Sequence, residues 1–153
     1  MSAQLSNVNG DNKSTIRVSE AAVLGANFSQ DGQLIATASE DGNAKVWNTR
    51  GQLIETLAPH QDEVNTISFS PDNRYIATAS NDKTARLWNR KTKTSITLNH
   101  TDRVTDIEFS PNGQVVVTAS ADGKARLWNL EGQQLNILEE RSNISKSSAL
   151  LGA

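Results

Sequence analysis

Residues 64–89 read VNTISFSPDNRYIATASNDKTARLWN, and residues 104–129 read VTDIEFSPNGQVVVTASADGKARLWN. With their flanks, Gln61–Arg90 and Thr101–Leu130, the two segments are identical at 15 of 30 aligned positions. A third segment, Val23–Asn48, matches both of them at spaced Val, Phe, Ser, Thr, Ala, Asp and Trp positions. The three segments start 41 and 40 residues apart. The chain is therefore built on an internal repeat of nearly constant length.

The hydrophobic pattern within one unit is typical of short strands. Apolar residues alternate at Ile67 and Phe69 and again at Ala85 and Leu87, and a period of two indicates strands rather than helices. The Ser-Pro-Asp-Asn sequence at 70–73 suits a tight turn between two such runs. With a fourth apolar run after the Trp, each unit holds four antiparallel strands, which is the content of one β-propeller blade. We therefore predict an all-β fold, a partial β-propeller of three four-stranded antiparallel blades.

These residues resemble the WD-repeat family, and bacterial multi-repeat WD proteins in particular. The second unit carries the family pattern at His60, at residues 64–72, at Thr78-Ala79-Ser80, at Asp82 and at Trp88-Asn89. The resemblance covers roughly residues 16–138, and three copies share it. It implies a propeller, commonly of seven blades, that serves as a binding scaffold.

We expect a structural hydrogen-bond network in each blade. If the second turn is centred on Gly42, Thr37 lies opposite Trp47, and its hydroxyl can accept the indole N–H. The resemblance adds a loop histidine and a tight-turn aspartate to this pair. The members are Thr37, Asp41 and Trp47 in the first unit, His60, Thr78, Asp82 and Trp88 in the second, and His100, Thr118, Asp122 and Trp128 in the third.

The first unit departs from the pattern because Ser19 stands where the other units have histidine. Asp41 therefore lacks its expected partner. We predict that this blade is the least stable of the three, by about 1 kcal/mol for one missing hydrogen bond. A second departure is shared by all units, since the family's Trp-Asp reads Trp-Asn throughout.

Two repeated sets of residues admit a functional interpretation. His, Asp and Ser are the residue types of a hydrolase triad, but a set that recurs in each blade is typical of scaffolding. Lys45, Arg86 and Arg126 stand two residues before each Trp; they form either a cation column for an anionic ligand or, more commonly, stems that cover apolar surface. A catalytic or small-ligand propeller that uses the central channel remains the alternative. It requires convergent carboxylates or metal ligands, so we predict no catalytic residue, no cofactor and no metal.

The domain organisation has open ends. Three blades leave two apolar blade faces uncovered, so we expect that copies of the chain associate or that further blades come from a larger protein. An inactive truncated remnant is a third possibility. We predict a flexible N-terminus at 1–13, a repeat region at 14–139 and a polar tail at 140–153. Within the repeat region, an extra strand at 14–18 precedes units at about 19–58, 59–98 and 99–139.

The predicted function is a non-enzymatic scaffold for protein–protein interaction, since a rigid frame with variable loops suits recognition. By similarity to the family, a protein or peptide partner is expected where the units differ, although exposed loops also drift without function. We expect Asn81→Ala to leave stability nearly unchanged and Trp88→Ala to cost about 3 kcal/mol. The candidate partner-binding residues are Ala22, Leu24, Glu40, Glu63, Asn65, Asn81, Arg103, Thr105 and Ala121.

Composition narrows the compartment and the class of partner. The net charge is −2, and Lys and Arg alternate with Asp and Glu, so no basic stripe favours nucleic acid. No stretch approaches the roughly 20 apolar residues of a membrane span, and the start has no signal-peptide pattern. The absence of cysteine excludes disulfides and thiolate metal sites. We expect a cytoplasmic protein without a membrane partner.

Overall fold

The computed structural model describes residues 21–140 in full and the backbone of residues 2–6 and 12–17. These residues form fourteen strands and no helix. Twelve of the strands make three four-stranded antiparallel sheets, each with its strands side by side in chain order. The predicted all-β partial propeller of three blades is therefore confirmed. The described residues contain no helix of the length and hydropathy that crossing a membrane requires.

The strands keep the repeat spacing throughout. The N-terminal hairpin consists of β1 (Ser2–Ser6) and β2 (Asn12–Arg17). The first blade consists of β3 (Val23–Phe28), β4 (Leu34–Ser39), β5 (Ala44–Asn48) and β6 (Leu53–Thr56). The second consists of β7 (Val64–Phe69), β8 (Tyr75–Ser80), β9 (Thr84–Asn89) and β10 (Thr94–Asn99). The third consists of β11 (Val104–Phe109), β12 (Val115–Ser120), β13 (Lys124–Asn129) and β14 (Gln134–Glu139).

The extra strand predicted at 14–18 is present as β2, but it does not stand alone. Residues 2–6, expected within a flexible N-terminus, form β1, which pairs antiparallel with β2 so that Ala3 faces Ile16. A partner strand satisfies N–H and C=O groups that a single extended strand leaves unpaired. Strand β1 lies beside β3 of the first blade. Ser19 and residues 141–153 of the predicted tail lie outside the described residues.

The hydrophobic core lies between blades. At the first junction, Ala36 and Ala38 of the first blade belong to one buried cluster with Ile67 and Phe69 of the second. At the second junction, the equivalent residues of the second and third blades form a matching cluster. Small alanines on one face leave room for the large side chains of the next blade, which gives close packing. Each blade therefore depends on its neighbours for burial.

A β-bulge near the start of each blade's first strand gives the three blades the same local geometry. The strand register shifts at Leu24, Asn65 and Thr105, and each bulge leaves one residue of the strand unpaired and redirected. The tight turn at Gly42 (φ 86°) fits closely against the next blade's loop, where a Cβ would lie 2.7 Å from the His60 carbonyl oxygen. The bulges and tight turns therefore place the loop residues of all three blades at one end of the sheets.

Candidate functional site

The network of the second blade is centred on His60, which is buried in the loop before β7. Its Nδ1 lies 2.9 Å from Asp82 Oδ2, and its Nε2 lies 2.7 Å from Thr78 Oγ1. Because a carboxylate only accepts hydrogen bonds, Nδ1 carries the proton and Nε2 accepts from the threonine hydroxyl. The arrangement fixes a neutral histidine in one orientation and ties the loop to β8 and to the tight turn.

Burial and hydrogen bonding control the protonation of this pair. Burial lowers the pKa of His60 below its ordinary value, although the Asp82 carboxylate opposes the shift. For Asp82, burial works to raise the pKa, but hydrogen bonds from Thr84, the Gln61 backbone and His60 outweigh it and lower the pKa to about 2. The pair therefore holds a neutral imidazole beside a carboxylate, and both ring nitrogens are already engaged inside the blade.

The expected bond between Trp88 and Thr78 is not what the structure shows. The Trp88 indole N–H donates to Glu55 Oε2 of the first blade at 3.3 Å, and Glu55 also binds Arg90 at 2.7 Å. A carboxylate is a stronger acceptor than a hydroxyl. The equivalent of Glu55 in the second blade is Ile96, so a carboxylate competes with the threonine for the tryptophan N–H only at the first junction. The difference between the units at this position of the fourth strand is the sequence signal that could have indicated the Trp88–Glu55 bond.

The third blade rearranges the same residues. His100 Nε2 and the Trp128 indole N–H both bind Thr118 Oγ1, at 2.8 and 3.0 Å. The expected bond from His100 to Asp122 is replaced, because His100 Nδ1 lies 3.0 Å from the Leu98 carbonyl oxygen. Asp122 binds Arg126 Nη2 at 2.7 Å instead. A permanently charged guanidinium is the better partner for a carboxylate than a neutral imidazole.

Charges in the third blade follow from this exchange. The Arg126 guanidinium holds the pKa of Asp122 well below its usual range, against the opposing effect of burial. Burial lowers the pKa of His100, with the nearby Arg126 acting in the same direction. The third blade therefore also holds a neutral histidine, and its tight turn is fastened by an ion pair.

In the first blade, the Trp47 indole N–H donates to Thr37 Oγ1 at 2.9 Å. The expected register is nevertheless wrong, because Thr37 faces Lys45 across the hairpin and Trp47 faces Ile35. The side chains meet diagonally, over a distance that a long tryptophan spans. Asp41 accepts the Asn43 backbone N–H at 3.0 Å, so its carboxylate is held within its own turn.

The arginines two residues before Trp88 and Trp128 serve the frame of the blades. Arg86 Nη1 donates to the carbonyl oxygens of Ala58 and Pro59, at 3.2 and 2.7 Å, and so holds the loop that carries His60. Arg126 binds Asp122. Both guanidinium groups form hydrogen bonds inside the blades. These two arginines therefore neither form a column of free cations for an anionic ligand nor place their charged groups in solvent.

The candidate partner-binding residues come together at the end of the blades that carries the bulges and tight turns. In each blade a backbone bond joins two of them, from Glu40 N to Ala22 O, from Asn81 N to Glu63 O and from Ala121 N to Arg103 O, at 2.9 to 3.0 Å. The bulged residues Leu24, Asn65 and Thr105 lie beside these pairs. We call these nine residues the loop-side surface. Its exposed members are Leu24, Glu40, Arg103, Thr105 and Ala121.

Some members of the loop-side surface also hold the blades together. Asn65 Nδ2 donates to Asn81 Oδ1 and to the Val104 carbonyl oxygen of the third blade, both at 2.8 Å. Asn81 Nδ2 donates to Glu63 Oε2 at 3.2 Å. These half-buried side chains therefore link the second blade internally and to its neighbour, a role that the variation among units did not indicate.

A groove at the other end of the blades offers little for catalysis. It has a volume of about 430 Å³ and is lined by equivalent residues of the three first strands, including Asn27, Ser68 and Glu108. Glu108 is the one titratable group among the described residues that line it, whereas acid–base chemistry needs partners with matched pKa values. Across the fully described part of the chain, no group of three or more His, Asp or Glu side chains is placed to hold a metal ion.

Comparison with known families accounts for the repeat. Residues 10–48, 51–89 and 92–129 each match the family of the WD domain, G-beta repeat. Each match begins one strand before a blade, so the first includes β2. A search of curated proteins found no match to this chain. Repeats of this family generally mediate protein–protein interaction, and proteins built from them are generally non-enzymatic scaffolds. On these three matches, the chain belongs to the WD40 repeat family.

Proposed function

We propose that this chain is a non-enzymatic scaffold that binds a protein or peptide partner on its loop-side surface, as part of a larger propeller. The observation that carries the proposal is the placement of chemically different residues at equivalent points of three blades with the same strand order and the same bulge positions. The bulges present Leu24, Asn65 and Thr105 in the same geometry. A rigid frame that places an exposed apolar side chain, a half-buried amide and an exposed hydroxyl at equivalent points is suited to recognition of an irregular surface.

The charges on this surface add selectivity. Glu40 is exposed in the first blade, and Arg103 is exposed in the third. A partner with the complementary arrangement of charges gains steering and register from such a pair. The surface is mixed in character, which is typical of a protein interface of moderate size.

The internal networks support a non-enzymatic role. Both ring nitrogens of His60 and of His100 form hydrogen bonds within the blade, so neither histidine presents a free nitrogen to a substrate. A general base must reach the proton that it abstracts, and a nucleophile must reach its base. The contact between the histidine Nε2 and the threonine hydroxyl recurs in the second and third blades, as expected of a structural frame.

The test is loss of partner binding when a charge is reversed or introduced in the loop-side surface. A partner is first identified by affinity capture with the intact chain and mass spectrometry, and its Kd is then measured by calorimetry. Arg103→Glu and Leu24→Asp are expected to weaken binding at least tenfold, about 1.4 kcal/mol, without a change in thermal unfolding.

Arg74→Glu is the matched control, because Arg74 is exposed and lies in the hairpin turn at the other end of the second blade. It is expected to leave the Kd unchanged. If Arg74→Glu abolishes binding while both loop-side variants bind normally, the partner site lies at the other end and the proposal is wrong.

A further inference from the structure

The third blade presents a junction face that no described residue covers. Its residues Val117, Ala119, Leu127 and Leu138 stand at the positions that Ala77, Ala79, Leu87 and Leu98 hold in the second blade. Those four residues of the second blade are almost fully buried against the third blade. In the third blade, Val117 is 37% exposed and Leu138 is 55% exposed. The face therefore has the composition of a blade junction, and no blade among the described residues completes it.

The first blade presents the opposite face of a junction. Phe28 is the equivalent of Phe69 and Phe109, which are 4% and 9% exposed at the two internal junctions. Phe28 itself is 53% exposed, although the N-terminal hairpin lies beside its strand. At the internal junctions the equivalent phenylalanine packs against the neighbouring blade. A half-exposed phenylalanine at this position therefore marks a junction face without its neighbouring blade.

The third blade holds a cleft at the place where such a phenylalanine belongs. The cleft has a volume of about 340 Å³, and Val115, Val117 and Leu127 contribute to its lining. In the second blade, the equivalent residues Tyr75, Ala77 and Leu87 pack in the cluster that contains Phe109. The chain thus carries both an exposed phenylalanine and an open cleft built from the positions that receive a phenylalanine at its internal junctions.

At one outer position of each junction, the charges of the facing side chains can be compared. At the first junction this position pairs Glu55 with Arg90, at 2.7 Å. At the second junction Ile96 and Leu130 occupy the same positions and pack on the core. A junction between the third blade and a first blade would bring Asn136 to Thr49. Two neutral polar side chains can hydrogen-bond each other, and no unpaired charge is buried.

We propose that a second copy of the chain docks head to tail on these faces. The open face of each third blade covers the open face of the other copy's first blade, and Phe28 enters the cleft beside Leu127. The N-terminal hairpin, whose β1 lies beside β3 and whose β2 begins the first repeat match at the place of a preceding blade's fourth strand, moves aside to admit this blade. Two copies then form a closed ring of six blades, within the range of about 4 to 8 blades that propellers adopt. A two-fold axis relates the copies, and each of the two equivalent contacts joins a third blade to a first blade. The proposal rests on the proposed role of the chain as part of a larger propeller, and it names a second copy as the source of the other blades.

The first experiment measures the mass of the full chain by light scattering over a range of concentrations. We expect twice the 16.6 kDa of one chain and a return to the single mass on dilution. Phe28→Asp and Val117→Asp should each give the single mass, because either one places a carboxylate in both contacts of the ring. Ile137→Asp is the matched control, since Ile137 is 40% exposed and pairs with Arg126 on the other face of the third blade.

Mixing the variants tests the head-to-tail geometry. An equimolar mixture of Phe28→Asp and Val117→Asp chains contains one intact third-blade face and one intact first-blade face, so a mixed pair held by one contact should form. The absence of cysteine allows a second readout. Thr49→Cys and Asn136→Cys chains, when mixed, should be joined by a short bis-maleimide linker, whereas neither chain alone should be joined to itself.

A single mass for the unmodified chain at all concentrations would overturn the proposal, and so would a double mass that survives Phe28→Asp and Val117→Asp. Linking of Asn136→Cys chains to one another would show a symmetric contact in its place. Each variant is checked for cooperative thermal unfolding, so that loss of fold is recognised. A single-mass chain that still binds its partner through Arg103 would reject the second copy and leave the proposed function standing.

Discussion

Arg126 Nη2 lies 2.7 Å from Asp122 Oδ2 and takes the place that His60 Nδ1 holds toward Asp82, at 2.9 Å, one blade earlier. The tight-turn aspartate is therefore fastened in both blades, by different donors. Where histidine binds the aspartate, the equivalent arginine turns to the loop carbonyls, and where arginine binds it, histidine turns to a backbone carbonyl. The repeated residues keep the turn fixed while the individual bonds are exchanged.

Removal of Arg126 should destabilise the third blade. Arg126 is 6% exposed, and Arg126→Met leaves Asp122 with fewer donors in a partly buried site. A hydrogen bond to a charged group contributes about 1.5–3 kcal/mol, so we expect a loss of about 2 kcal/mol in the free energy of unfolding, measured with urea. Lys124→Met is the control, because the Lys124–Glu139 pair is largely exposed and should contribute less than about 0.5 kcal/mol. Equal losses would show that the Arg126–Asp122 pair stabilises the fold no more than an exposed ion pair does.

Acidification should weaken the fold in two separate windows. Burial lowers the pKa of both His60 and His100 from 6.5, so the unfolded chain binds protons more readily than the folded chain as the pH falls below that value. Stability is therefore full above about pH 6.5 and decreases below it. Asp82, lowered from 3.8 to about 2, adds stability above pH 3.8 that is lost as the pH falls toward 2.

Urea unfolding at about pH 7.5 and about pH 5.5 measures the histidine window. His100→Gln should lower stability at both pH values and should reduce the difference between them. A variant that keeps the full difference would show that His100 does not contribute to the pH dependence.

The charged cluster at the first junction should show strong coupling. Glu55 receives bonds from Trp88 and Arg90, and its carboxylate is 8% exposed. A double-mutant cycle with Glu55→Ala and Arg90→Ala should give a coupling energy of about 1–3 kcal/mol, as for partly buried residues in one network. The same cycle on Lys124 and Glu139 should give about 0.5 kcal/mol or less. A coupling at Glu55 no larger than this would place the cluster among ordinary surface pairs.

Trp88 and Asn81 should both matter, to different degrees. Trp88→Ala removes a large side chain from the first junction and should cost about 3 kcal/mol. Asn81→Ala, expected from sequence to be nearly neutral, should cost about 1 kcal/mol, because Asn65 then loses an acceptor in a half-buried site. Thermal unfolding with a calorimetric check of two-state behaviour separates the two values. If Asn81→Ala is as stable as the original chain, Asn81 does not stabilise the fold and belongs only to the candidate partner-binding surface.

The first blade should be the least protected in native-state hydrogen exchange. Trp47 binds Thr37 as Trp128 binds Thr118, but the loop histidine of the other two blades has no counterpart in the first unit. Amides of β4 and β5 should therefore exchange with an opening free energy about 1 kcal/mol lower than those of β8 and β9. Equal protection across the blades would show that the histidine is not a net stabiliser.

The sequence by itself determined the architecture and the list of candidate residues. Period-two hydrophobicity, turn residues at fixed offsets and a repeat of about 40 residues specify three blades, because these signals are local and occur three times. The resemblance to the WD-repeat family also predicted the contact of His60 with Thr78, and the alignment of the units predicted that the candidate loop residues occupy equivalent positions. Each depends on positions within one unit, and the units share their framework residues.

Only the tertiary structure decided which donor meets which acceptor. Trp88 turns to Glu55 rather than Thr78, and Asp122 binds Arg126 rather than His100. In each blade several donors lie near one carboxylate or one hydroxyl. Differences of a few ångströms across strands and junctions determine which hydrogen bond forms. The same holds for the open faces of the first and third blades, because an apolar position is buried where a neighbouring blade covers it and exposed where none does.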